Sequence, residues 1–274
     1  MVLMKLLSIW IGTCAAVLVD GLIFSMAMND ASAASRTVAI APECPLNGTR
    51  VVGFARALDG GSFATTEGED VRLAGVLALG AGGETASEPA AAISRDALSK
   101  ILRDRTVTIA AAENSRDRYG RVVAQVFADG TWVQAELLRI GEARAAPDRV
   151  SASCAKALLA AEAEGRERRL GQWRFGFGVQ TPNGLGNRTG TFQIVEGDVV
   201  TASVTRGRAF INFGADYRTD FTVTVEPEDM RTFRQAKFDI AGLAGKRIRV
   251  RGWVEFYNGP EITITTPAAI EVLE

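Results

Sequence analysis

No histidine occurs anywhere in this chain, and its 274 residues include only three cysteines. The first absence removes imidazole general bases, Ser/His/Asp triads and histidine-ligated zinc. Hydrolytic chemistry would have to rest on carboxylates, arginines, a tyrosine or a bound hard cation. Net charge is lacking too: 31 Lys and Arg stand against 32 Asp and Glu, and the two signs nearly cancel in each half of the chain. Tight nucleic-acid binding driven by charge alone is therefore not indicated, while local basic patches stay open. The apolar fraction of 47% and charged fraction of 23% are those of a folded protein, which excludes general disorder.

Long apolar runs are confined to the N-terminus. Lys5 precedes an uncharged stretch from Leu6 to Val19, Asp20 interrupts it, and Gly21 to Met28 resumes it. Ala31-Ser32-Ala33 then supplies the small residues that precede a cleavage site. Residues 1–34 thus read as a cleaved export signal, giving a periplasmic or secreted protein with no transmembrane domain. The alternative is an uncleaved membrane tether over residues 6–28. Asp20 argues against it, because an acid at bilayer depth costs about 2.5–3.5 kcal/mol. Cys14 leaves with the signal. In an oxidising compartment the remaining pair, Cys44 and Cys154, is expected to form one disulfide, with two buried free thiols as the alternative.

Beyond the leader the pattern predicts strands over 49–57, 62–66 and 69–76, separated by the turn Leu58-Asp59-Gly60-Gly61. Ser87-Glu88-Pro89 announces a helix, and Ile93, Leu98, Ile101 and Leu102 give it an apolar face. Strands return over 106–111 and 121–127, and helices follow over 132–140 and 153–169. Three strands, a helix and two strands is the order of a five-stranded OB-fold barrel. Residues 175–190, rich in Gly, Asn, Thr and Pro, read as a linker. Strands then resume over 192–199, 200–205, 209–213 and 221–225, with a short helix over 227–237 and closing strands over 246–256 and 261–265. The fold class is thus mainly β (α+β): one barrel domain over 45–174 and a second, smaller OB-like barrel over 191–274.

Asp117-Arg118-Tyr119-Gly120-Arg121, preceded by Arg116, resembles the D-[KR]-Y-G-R signature of the thermonuclease (staphylococcal-nuclease-like) family. Leu158-Leu159, Glu162-Ala163-Glu164 and Leu170-Gly171-Gln172-Trp173 are similar to the close of that family's domain, and the likeness spans Val51 to Trp173. The resemblance implies an OB barrel with trailing helices, and a phosphodiesterase site in which carboxylates hold calcium while two arginines grip phosphate. Arg72 and Arg121 stand at the two arginine positions. Asp59-Gly60-Gly61-Ser62 lies where the family carries D-G-D-[TS], so Gly61 replaces a metal acid. Arg72 to Gly80 lies on the pattern R-L-x-x-[IV]-D-x-P-E, which sets Leu77 on the second metal acid and Gly80 on the general base. Glu84 and Glu88 lie a few residues beyond and could supply at most a base.

Three readings follow. The chain is a thermonuclease-like module that has lost catalysis and binds a nucleic acid, nucleotide or protein; or an active nuclease with an altered site; or an envelope scaffold for protein contact. No cofactor or metal is expected under the first and third, and calcium only under the second. Arg118 and Tyr119 are ligand-binding candidates, and the bland reading is that Tyr119 and Gly120 only shape a turn. Arg72 is open between phosphate binding and a structural ion pair. Arg249 and Arg251 alternate on one strand with Trp253, and Tyr257 lies nearby. They form either a strip for a single strand or nucleotide, bound weakly, or an ordinary solvent-facing strand.

Overall fold

The computed structural model describes residues 44, 48–80, 87–111, 115–148, 150–186, 188–216 and 218–273. The leader or tether expected over 1–34 and the stand-in acid Glu84 lie outside the described residues. The first barrel begins with one bent strand, β1 (Thr49–Val52) and β2 (Phe54–Asp59). The bend falls at Gly53, where a Cβ would lie 1.9 Å from Thr66 Oγ1, so only glycine lets the two backbones approach. Then come β3 (Ser62–Thr65), β4 (Asp70–Leu73), β5 (Val76–Leu77), α1 (Glu88–Leu102), β6 (Val107–Ala110) and β7 (Val122–Ala128). The two-residue β8 (Thr131–Trp132) leads into α2 (Val133–Arg139), β9 (Arg144–Ala145) and α3 (Ala152–Glu167).

The sheet order is β1-β6-β7-β4-β3-β2, so the bent first strand touches both ends of the sheet and curls it into a barrel. Within it β4 runs parallel to β7, with Val71, Arg72 and Leu73 opposite Val122, Val123 and Ala124. That pairing brings the two halves of the family-like pattern together from fifty residues apart. Inside, Phe63, Val71, Leu73, Leu98, Leu102, Ile109 and Val126 are at most 1% exposed. Cys44 and Cys154 are bonded, tying the start of the described chain to the first turn of α3.

The linker expected over 175–190 is held down by packing. Phe177 and Leu185 insert their side chains and are buried. The two-residue β10 (Val179–Gln180) pairs in parallel with β11 (Phe192–Asp198). The second β domain, expected as a barrel and seen as a curved sheet, continues with β12 (Thr201–Thr205), β13 (Arg208–Asn212), β14 (Thr222–Val225), α4 (Met230–Gln235), β15 (Arg247–Phe256), β16 (Pro260–Thr263) and β17 (Ile270–Val272). Its order is β10-β11-β15-β16-β14-β13-β12, with β17 also on β15. Its core gathers Val195, Ile211, Val223, Phe233, Ile248, Val250 and Ile262.

Both domains belong to one compact unit. Phe192 of β11 joins the core of the first barrel, with Trp253 of β15 packed on it edge to face. Arg144, buried on β9, donates to the carbonyl of Phe192 at 2.7 Å and lies over the rings of Phe177 and Phe192. No helix among the described residues is long and apolar enough to cross a membrane.

Candidate functional site

Arg72 sits between the buried Val71 and Leu73, so the strand alternation of β4 turns its side chain out of the core. Arg121 enters β7 from the turn 117–120, where Gly120 has a φ of 81°. The turn closes on Asp117, whose Oδ1 accepts the amides of Tyr119 at 2.9 Å and Arg121 at 3.1 Å. Asp117 thus holds the amides of its own turn. Its Oδ2 takes the Arg121 guanidinium through two contacts of 2.8 Å, and Arg72 reaches the same oxygen at 3.9 Å. Both family-type arginines therefore converge on one carboxylate. Burial alone would raise the Asp117 carboxyl, but the Arg121 side chain and the amides of Arg121 and Tyr119 outweigh it and hold it below its ordinary range.

Tyr119 projects into solvent, 65% exposed, with the guanidiniums of Arg118 and Arg121 at 4.9 and 5.3 Å from its ring centre. Arg118 is exposed on the same turn. Arg72, Arg118 and Arg121, with the ring of Tyr119, make a basic and aromatic group around the Asp117 carboxylate. Beside it lies a cleft of about 220 Å³ lined by Arg72, Leu77, Asp117, Asp148, Phe192 and Trp253. Asp148, Phe192 and Trp253 complete a wall that the family-like motif does not mention. Phe192 and Trp253 come from the second domain, and no local pattern in the first could have revealed them.

Arg249 and Arg251 do not form a ligand-binding strip. Both side chains are instead held by carboxylates, Glu162 of α3, Glu196 of β11 and Glu271 of β17. Arg251 has no exposed side-chain surface; it donates to Glu162 at 2.7 Å, to the carbonyl of Ala145 at 3.2 Å and to Glu271. Burial works against its charge, but Glu162 and Glu271 more than compensate, holding the guanidinium above its ordinary range. Arg249 is spent on Glu196 at 2.9 Å and Glu271 at 3.4 Å. Arg166 of α3 also turns inward to Glu162 at 3.0 Å. Of the proposed strip, Trp253 reaches the cleft at Arg72, and Tyr257 lines a separate cavity.

The residues at the metal positions do not fit a hard cation. Gly61 offers no side-chain oxygen, and its amide is taken by Asp59 Oδ1 at 2.7 Å. Leu77 is 2% exposed and packs in the core of the first barrel. Gly80 adopts a φ of 76°, and a Cβ there would lie 2.8 Å from Ala91 Cβ. A side chain long enough to act as a base would have to displace α1. Among the described residues no three Asp, Glu, Cys or His side chains cluster as a cation site would need. Asp59, the nearest remaining acid of the hairpin, lies 4.0 Å from Arg121.

No curated protein matches this chain. The family model described as staphylococcal nuclease homologue matches residues 70–175, from the start of β4 to just past the Trp173 close, and identifies that stretch as a staphylococcal-nuclease-like domain.

Proposed function

We propose that this chain is an exported, non-hydrolytic relative of the thermonucleases, which uses Arg72, Arg121 and Tyr119 to hold a phosphate-bearing ligand, a short single strand or a nucleotide, without cutting it. One observation carries this reading: both arginines stand at one site, while the positions that would hold calcium and the base are Gly61, the buried Leu77 and the left-handed Gly80. Two guanidiniums and an exposed ring can grip a phosphate and stack on a base. Without a metal-held water or a positioned base, they cannot supply the nucleophile. The bonded Cys44 and Cys154 support export to an oxidising compartment.

Asp117 sets the strength. Its carboxylate neutralises much of the positive field of the two arginines, so affinity is expected to be weak and steeply salt-dependent. The test is fluorescence anisotropy of a labelled oligothymidine at low salt, run with a calcium-supplemented cleavage assay. Binding lost in Arg121→Ala and strengthened several-fold in Asp117→Asn, with no cleavage, supports the reading. Cleavage that Arg121→Ala abolishes would sink it in favour of an altered nuclease. No binding at low salt would leave the envelope-scaffold reading.

A further inference from the structure

A second cavity lies wholly within the C-terminal domain, and its chemistry differs from that of the arginine site. The register sets one face of β12, β13, β14 and β16 in a continuous row. Ser203 pairs with Phe210 and Phe210 with Thr224; Asn212 pairs with Thr222 and Thr222 with Glu261. The alternate residues Ala209, Ile211, Val223 and Ile262 point the other way and are buried in the domain core. Over the polar row stands the turn after β15, with Tyr257 72% exposed and Asn258 in a left-handed conformation. The open groove so formed has a volume of about 510 Å³, and Ser203, Phe210, Thr222, Tyr257, Asn258 and Glu261 are among the residues that line it.

The floor is built rather than incidental. Thr222 and Glu261 are buried, and Thr222 donates to Asn212 Oδ1 at 3.0 Å. Glu261 Oε1 accepts from Thr224 at 3.0 Å and from Arg208 at 3.1 Å. Among the described residues nothing hydrogen-bonds Glu261 Oε2, the hydroxyls of Ser203 and Tyr257, or the Asn258 amide. Those groups can therefore meet a ligand. Among the described residues no lysine or arginine lines the cavity; the Arg208 guanidinium lies over the Phe210 ring, 5.2 Å from its centre, and is bound by Glu226 at 2.8 Å and by Glu261. A phosphate backbone would meet the Glu261 carboxylate and a guanidinium already paired with two carboxylates, which argues against a nucleic acid. A purely apolar ligand would strand the buried polar floor.

We propose that this cavity binds a short neutral carbohydrate. The rings of Phe210 and Tyr257 suit the C–H faces of sugar rings, and the hydroxyls, the Asn258 amide and Glu261 Oε2 match sugar hydroxyls as donors and acceptors. The volume falls within the roughly 300–1,000 Å³ of small-molecule sites.

The experiment is isothermal titration calorimetry of the purified full chain with cellotriose and with the trimer of N-acetylglucosamine. At least one is expected to bind saturably, with a Kd of roughly 0.1–1 mM, and to be insensitive to added salt. Tyr257→Ala is expected to weaken that binding about tenfold without moving the melting temperature, because the ring is exposed. Tyr257→Phe, which keeps the ring, is expected to retain most of it. Absence of saturation by both trisaccharides, equal binding by Tyr257→Ala, loss of binding in high salt, or competition by a thymidine trinucleotide would each overturn the proposal.

Discussion

Arg251 of β15 and Glu162 of α3 meet at 2.7 Å with neither side chain exposed to solvent, and each belongs to a different domain. Glu162 also accepts the Ala145 amide at 2.8 Å and faces Arg166, so its charge is fully engaged. A buried pair of this kind adds little relative to an apolar pair, yet removing one partner strands a charge in the interior. Glu162→Gln is therefore expected to cost about 3–5 kcal/mol in chemical denaturation. Replacing both partners, Arg251→Met with Glu162→Gln, should cost less than the sum of the single changes. Wild type should unfold in one transition by both far-UV and tryptophan signals. Two separated transitions in wild type would show that the pair does not couple the domains.

Stability should fall on the acid side through Glu196 and Asp117. Glu196 accepts Arg249 at 2.9 Å and Arg247 at 3.0 Å. Burial would raise its carboxyl, but the two arginines outweigh that and hold it below the usual range, as happens at Asp117. A carboxyl depressed in the fold contributes stability above its unfolded pKa and loses it as pH falls through the folded value. Glu142 works in the opposite sense, since burial raises it despite hydrogen bonds from Gln172 and Ser94. Its contribution is present at low pH and lost as pH rises through the folded value. Melting temperature is expected to drop on acidification below the ordinary carboxylate range, and Glu196→Gln should flatten that drop. An acid limb identical in Glu196→Gln would remove the assignment.

The first barrel was legible because its signals are local: the Asp59 turn, the Ser87-Glu88-Pro89 helix start and the Asp117–Arg121 motif each act within a few residues. The approach of Arg72 to Arg121 was legible only through the family-like pattern, since it depends on the parallel β4–β7 pairing, and nothing in the sequence showed that both would meet Asp117. Period two set Arg249, Arg251 and Trp253 correctly on one face. It carries no information on what meets that face, and here carboxylates of α3, β11 and β17 do, which turned an expected binding strip into buried ion pairs. The 175–190 segment misled for the same reason. Its Gly and Pro residues mark turns, but Phe177 and Leu185 find partners that sequence spacing does not reveal.

The Cys44–Cys154 bond closes a loop of 110 residues around the first barrel. A cross-link of that span removes about 4–5 kcal/mol of unfolded-state entropy on the chain-entropy model. Cys154→Ser is expected to lower the denaturation midpoint accordingly, while leaving the urea dependence of the native barrel recognisable by tryptophan fluorescence. Both sulfurs are buried, so reduction by dithiothreitol should be slow in native buffer and fast in urea. Two free thiols in protein purified from the oxidising compartment would contradict the bond.

Leu77 gives the most direct test of the proposal that this domain holds no calcium. It is buried on β5, opposite Arg144 of β9, and its side chain belongs to the first core. Leu77→Asp restores the family's acid type at that position but places a carboxylate among apolar neighbours, and it also removes a packed side chain. Deleting a buried leucine alone costs about 2–5 kcal/mol, and an unpaired buried charge adds to that. The variant is expected to melt well below wild type. Calcium should not rescue it, because Gly61 and Gly80 still supply no carboxylate, and a Cβ at Gly80 would lie 2.8 Å from Ala91 Cβ. Adding Gly61→Asp and Gly80→Glu should destabilise further, since the left-handed backbone at Gly80 disfavours any side chain. A calcium-dependent rise in melting temperature of Leu77→Asp, absent in wild type, would mean that a cation site survives in this barrel and would reopen the nuclease reading.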